Sequence, residues 1–143
     1  MNIRIKRILC PVDFSPSGDF AFDYACAIAT RHGATVELLH IAEASAYAED
    51  EPPKGQPVFE EILRNRLRKM AAPASVPVEI NLLSGIPYIE IINRATALRA
   101  DLIVIGTHGR TGMKHLLIGS VAERVVRTAP CPVLTVRHPD HLV

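Results

Sequence analysis

The sequence predicts an α/β fold: an open parallel sheet with helices on both faces. Three observations carry this. Short apolar runs of strand length alternate with longer segments whose apolar residues recur every three or four positions. Most of the runs are apolar throughout, as strands covered on both faces are. Most of the connections are short, so each strand leads into a helix that returns the chain for a parallel partner. The 143 residues suit a single domain over 1–143, long enough to bury a core without a metal or disulfide.

The elements follow in order. Ile8-Leu9-Cys10-Pro11-Val12 is a buried strand ending at Asp13. Ser15 and Pro16 open a helix, a capping hydroxyl followed by a residue suited to the first helical position. Phe20, Ala21, Tyr24, Ala25, Ile28 and Ala29 form its expected inward face, and Arg31, His32 and Gly33 end it. Thr35-Val36-Glu37-Leu38-Leu39-His40-Ile41 reads as a second strand. Residues 42–57, acidic and turn-rich, form the longest expected loop. A charged helix over roughly 58–70 should turn Phe59, Ile62 and Leu63 inward, with Leu67 a further candidate.

Val78-Glu79-Ile80-Asn81-Leu82-Leu83 alternates like a strand with one exposed face. Pro87 opens a helix lined by Ile89, Ile92, Ala95 or Thr96, and Leu98. Asp101-Leu102-Ile103-Val104-Ile105-Gly106 is the clearest central strand. Residues 107–118 break the rhythm. A helix over 120–128 then places Val121 and Val125 inward, with Val126 or Ala122 beside them, and Val133-Leu134-Thr135-Val136-Arg137 is a fifth strand.

Composition excludes several functions. Sixteen Lys plus Arg against fifteen Asp plus Glu leave a formal charge of +1, which gives no support to a nucleic-acid or membrane-surface partner held by bulk charge. Cys10, Cys26 and Cys131 are odd in number and form no CxxC pair, so each is expected as a buried small hydrophobe rather than a disulfide or zinc ligand. No signal-peptide core and no apolar run of about 18 residues occurs, which points to a cytoplasmic chain without membrane insertion.

In an open α/β sheet, ligands sit beyond the carboxyl ends of the strands, where strand order reverses. Two segments qualify. The first is Pro11-Val12-Asp13, where a carboxylate directly after a buried strand needs donors: backbone N–H groups of the Phe14-Ser15 turn, or a ligand. The second begins at Gly106-Thr107-His108-Gly109, followed after nine residues by Gly119-Ser120. Gly106 and Gly109 would let backbone approach a ligand where a Cβ would collide. Gly119-Ser120 opens a helix whose first N–H groups have no internal acceptor and therefore suit phosphate oxygens. Arg110, Lys114 and His115 can add charge-assisted contacts, or stand solvated in a surface loop. His40 reads as a hydrogen-bonded histidine at a strand end, and His108 as a ligand contact or a structural group. Neither a G-x-x-x-x-G-K-[ST] loop nor a G-x-G-x-x-G fingerprint is present, and a phosphorelay receiver's paired acids are missing.

The G-x-x-G, nine-residue, G-[ST] spacing resembles the ATP-binding motif of the universal stress protein family. The resemblance extends over nearly the whole chain, through residues 8–15, Leu38-Leu39-His40-Ile41, residues 100–110, residues 117–123 and Pro130-Cys131-Pro132-Val133-Leu134. It implies a sheet of five parallel strands in the order 3-2-1-4-5, and, with every glycine and the serine of the motif present, the ATP-binding branch of that family. Carried over by position, Pro11, Val12 and Asp13 would line the adenosine end, with Ile41 offering backbone groups to the adenine edge. Gly106, His108, Gly109 and Arg110 would follow ribose and phosphates, and Gly119, Ser120 and Val121 would grip the phosphates, with Mg2+ accompanying the ATP. The resemblance also implies a homodimer joined through the fifth strand, Val133, Leu134, Thr135 and Val136, whose β-branched edge invites pairing.

The function expected is a regulatory nucleotide sensor in a stress response. A nucleotide-independent dimeric adaptor and a slow ATPase are the alternatives. No second acid comparable to a metal-holding aspartate lies near the motif, so no catalytic residue is assigned.

Overall fold

The computed structural model describes residues 2–43, 56–108 and 118–139. Among these residues five strands, β1 (Arg7–Pro11), β2 (Thr35–Glu43), β3 (Val78–Gly85), β4 (Leu102–Gly106) and β5 (Val133–Val136), alternate with four helices, α1 (Pro16–His32), α2 (Gln56–Ala71), α3 (Pro87–Leu98) and α4 (Ser120–Thr128). The strands form one parallel sheet in the order β3-β2-β1-β4-β5. β2 and α2 each take two residues from the long loop expected between them, which leaves 44–55 outside the described residues.

Alternation along each strand divides the core into two layers. Ile8, Cys10, Val36, Leu38 and Val104 pack with Ala21, Ala25 and Ala29 of α1 and Leu67 of α2. Leu9, Leu39, Ile41, Ile103 and Ile105 point the other way, onto Ile91 and Ala95 of α3 and Ala122 and Val125 of α4. Complete burial of a Leu or Ile contributes about 1.5–3 kcal/mol, so the central strands supply much of the cohesion. The ends of α1 follow from local chemistry. Ser15 Oγ accepts the Gly18 N–H at 3.2 Å, and Gly33 closes the helix in the left-handed conformation at φ 65°.

Several facing assignments change. In α1, Tyr24 is 45% exposed while Phe22 is buried. The three alanines let the helix lie close to the sheet, and Phe20 and Tyr24 are displaced to its flank, edge to face at 5.2 Å. In α2, Leu63 and Leu67 are buried, whereas Phe59 and Ile62 are 45% and 52% exposed. In α3, Ile91 joins the expected Ala95 in the core, Ile92 and Leu98 pack against it partly buried, and in α4 it is Ala122 rather than Val126 that is buried. Cys10 is buried, but Cys26 and Cys131 are only partly covered. β1 ends at Pro11 and β5 at Val136, each one residue short of the expected run.

Candidate functional site

Strand order reverses between β1 and β4, and the chain leaves both strands at the same edge of the sheet. Beyond Pro11, Val12 stays tied to β2 by its N–H to the Leu39 carbonyl at 2.8 Å. Its own carbonyl accepts a 2.8 Å bond from His40 Nδ1, which fixes the imidazole proton on that nitrogen. The next residues reverse direction sharply. Phe14 adopts φ 65°, a left-handed conformation that costs a side-chain-bearing residue about 1–2 kcal/mol. The turn brings Asp13 Oδ1 within 3.0 Å of the Ser15 N–H. Asp13 therefore has a backbone donor and also lines the cavity described below.

The phenyl ring of Phe14 is held on two sides. Its centroid lies 4.5 Å from the His40 ring, tilted by 40°, and the Arg66 guanidinium of α2 sits 4.0 Å over it.

Ser15 joins this turn to the other strand end, since its hydroxyl also reaches the His108 carbonyl at 3.4 Å. Thr107 extends the β4–β5 ladder through its N–H to Val136 O at 2.9 Å, and its carbonyl accepts the Gly119 N–H. Its hydroxyl and His108 Nδ1 are 3.0 Å apart. His108 is thus buried and engaged through both backbone and ring. α4 starts immediately after Gly119 and carries no side-chain cap, unlike α1. The first-turn amides of Ser120, Val121 and Ala122 therefore end a helix dipole at its positive pole without a capping oxygen from the helix's own N-cap residue.

These elements enclose a cavity of about 500 Å3, within the size range of small-molecule sites. Pro11, Val12, Asp13, Ile41, Gly106, His108, Gly119, Ser120 and Val121 all line it. Gly109 and Arg110 lie outside the described residues, as do Lys114 and His115. At Gly106 the packing of the protein itself already demands a glycine. A Cβ there would come within 2.8–2.9 Å of the backbone and Cβ of Ser17, so the glycine is required by the approach of α1, whatever binds in the cavity.

Sequence reasoning missed the walls contributed by Phe59 and Leu63 of α2 and by Pro87 and Ile91 of α3. The available signal was topological. A helix that returns a chain between parallel strands starts at their carboxyl edge, so its first turns face that edge. His40 lines the cavity as well as making its strand-end hydrogen bond. Among the described residues, no group of three His, Cys, Asp or Glu side chains could hold a metal ion.

The sequence profile of the universal stress protein family matches residues 4–137. The chain belongs to the universal stress protein family. Universal stress protein MJ0531 of Methanocaldococcus jannaschii is 35% identical over 141 residues, covering 94% of this chain and 83% of that protein. The solved structure of MJ0577, from the same organism, superposes with a TM-score of 0.85 at 29% identity, covering 94% of this chain and 97% of that one. A universal stress protein solved in complex with cAMP superposes with a TM-score of 0.69 at 25% identity, covering 94% and 98%. The sheet order and flanking helices of this chain are those of the universal stress protein fold.

Proposed function

We propose that this universal stress protein binds ATP in the cavity at the β1–β4 switch point and acts as a regulatory nucleotide sensor in the cytoplasm. The observation that carries the reading is the pairing of opposite chemistries in one cavity. A helix start without a side-chain cap, at Ser120 and Val121, and the Asp13 carboxylate both line it. Phosphates suit the helix start, where amide N–H groups and the Ser120 hydroxyl donate. An ionised Asp13 repels phosphate but accepts from ribose hydroxyls or an adenine amino group, so it orients the nucleotide with its sugar and base toward β1. Ile41 offers backbone groups to the adenine edge, and Gly109 and Arg110 belong with the phosphates by their place in the motif. Magnesium would enter on the phosphates rather than in a cage of carboxylates. The relative solved with cAMP supports the adenine nucleotide class.

The same reading includes a homodimer through β5, which lies at the edge of the sheet with Val133, Leu134 and Thr135 only partly covered. Sedimentation at micromolar concentration should give twice the chain mass, and only monomer would remove the dimer from the reading. The test of the nucleotide is chemical. The purified protein is denatured and what it releases is identified by chromatography and mass. ATP at near one per chain supports the reading. A different tightly held nucleotide at that stoichiometry replaces ATP as the ligand.

A further inference from the structure

The left-handed turn at Phe14 is the feature of the site that local sequence chemistry does not explain, because a phenylalanine occupies a conformation that favours glycine. The turn sets where Asp13 stands, since it brings Oδ1 to the Ser15 N–H. Contacts from distant parts of the chain meet it. His40 of β2 bonds to the Val12 carbonyl and packs its ring 4.5 Å from that of Phe14, and Arg66 of α2 covers the ring at 4.0 Å. Arg66 shares its helix with Phe59 and Leu63, which form a wall of the cavity. The stack therefore ties the turn both to the neighbouring strand and to a helix that faces the ligand.

We propose that the Arg66–Phe14–His40 stack is a positioning device that holds the Phe14 turn and thereby aims the Asp13 carboxylate at the bound nucleoside. The proposal rests on the nucleotide reading above for the identity of the ligand, but not for the mechanics of the turn. Arg66 acts on the ring of Phe14 and not on phosphate. Its loss must therefore weaken an uncharged ligand as well as a charged one, the missing positive charge adding a further loss only for the charged one.

The experiment uses the full chain as wild type, Arg66→Ala, Phe14→Gly and Phe14→Tyr. Calorimetry measures binding of ATP with magnesium and of adenosine, and amide hydrogen exchange of Ser15 is followed without ligand. Phe14→Gly makes the left-handed backbone inexpensive but removes the ring, so it separates the stack from the turn conformation itself. The stack predicts that Arg66→Ala weakens adenosine by a factor of about 3, the scale of an exposed cation–π contact, weakens ATP at least as much, and speeds Ser15 exchange. Phe14→Gly should weaken both by about 3- to 10-fold, and Phe14→Tyr, which keeps a ring between His40 and Arg66, should bind more tightly than Phe14→Gly.

Loss confined to ATP in Arg66→Ala, with Ser15 exchange unchanged, would make Arg66 a phosphate contact and overturn the positioning role. Affinity retained in Phe14→Gly would also overturn it, because backbone conformation alone would then suffice. If the wild type binds neither ligand, the nucleotide reading fails by itself. Ser15 exchange in Arg66→Ala still decides the stack: faster exchange upholds it and unchanged exchange ends it.

Discussion

The space that a side chain at Gly106 would need is already filled by Ser17, whose carbonyl carbon would lie 2.8 Å from the added Cβ. The two residues bring α1 and the end of β4 into direct backbone contact, next to the Ser15–His108 bond that bridges the two halves of the site. Gly106→Ala must push α1 outward, because the obstructing atoms are mostly main chain and cannot rotate away. We expect a loss of about 1–3 kcal/mol, the usual cost of overpacking, seen as a lower thermal midpoint. An unchanged midpoint would show that α1 can shift freely.

A second pair fixes α3 to the sheet. Arg94 Nε and Nη2 donate to Glu37 Oε2 and Oε1 at 2.7 and 2.6 Å, and the Glu37 side chain is 5% exposed. The bidentate hydrogen bonding raises the Arg94 pKa, so the guanidinium keeps its charge. Arg94→Ala leaves a buried carboxylate with, among the described residues, only the distant amide of Asn81, at 3.5 Å, and should cost up to about 3 kcal/mol in chemical denaturation. Arg94→Ala combined with Glu37→Leu should recover much of that loss, since no buried charge then remains. A double variant no more stable than Arg94→Ala would contradict this.

Stability should depend on Asp19 with a definite sign. Partial loss of hydration, reinforced by Asp23 and Asp13 and opposed by Arg66 and His138, holds the Asp19 carboxyl above its ordinary 3.8. An acid whose folded pKa is raised favours folding most when protonated. Its contribution is full below 3.8 and is lost as pH rises through the higher folded value. The stability difference between wild type and Asp19→Asn should therefore move against wild type as pH climbs through that interval. The opposite slope would mean that the positive pole of α1 outweighs lost hydration.

The three thiols should be slow to react. Burial pushes the Cys10 thiol well above its ordinary range, and lost hydration raises Cys26 and Cys131 as well. Alkylation at pH 8 should label Cys26 and Cys131 more slowly than a free cysteine, and Cys10 only on unfolding. Rapid labelling of Cys10 in the native protein would contradict its place in the core.

What was legible in the sequence was mostly local. Ser15 and Gly33 announce the ends of α1 because a cap is made by the residue itself and the adjacent turn. The apolar runs around Leu9, Leu38 and Val104 mark central strands because both faces are covered. Which apolar residues of a helix face inward was less legible. In α1 the alanines choose the packed side, an outcome set by how closely the helix can approach the sheet, and this leaves Tyr24 outside. Glu37 gave no sign of its partner, because Arg94 lies 57 positions away on a helix whose rotation only packing fixes. At the site, the strand ends and the start of α4 are readable as a motif at the switch point. The walls from Phe59, Leu63, Pro87 and Ile91 are not, since their place depends on how α2 and α3 dock. Nor does a Phe at position 14 signal a left-handed turn, which is maintained by tertiary contacts.

The most direct test of the central claim is a calorimetric titration of nucleotide-stripped protein with ATP and magnesium, repeated on Ser120→Asp. Saturable binding near one per chain, weakened at least about 10-fold when a carboxylate is placed at the α4 N-terminus, is the predicted result. No saturable binding to the wild type, or equal binding by the two proteins, would contradict the assignment of phosphates to that helix start.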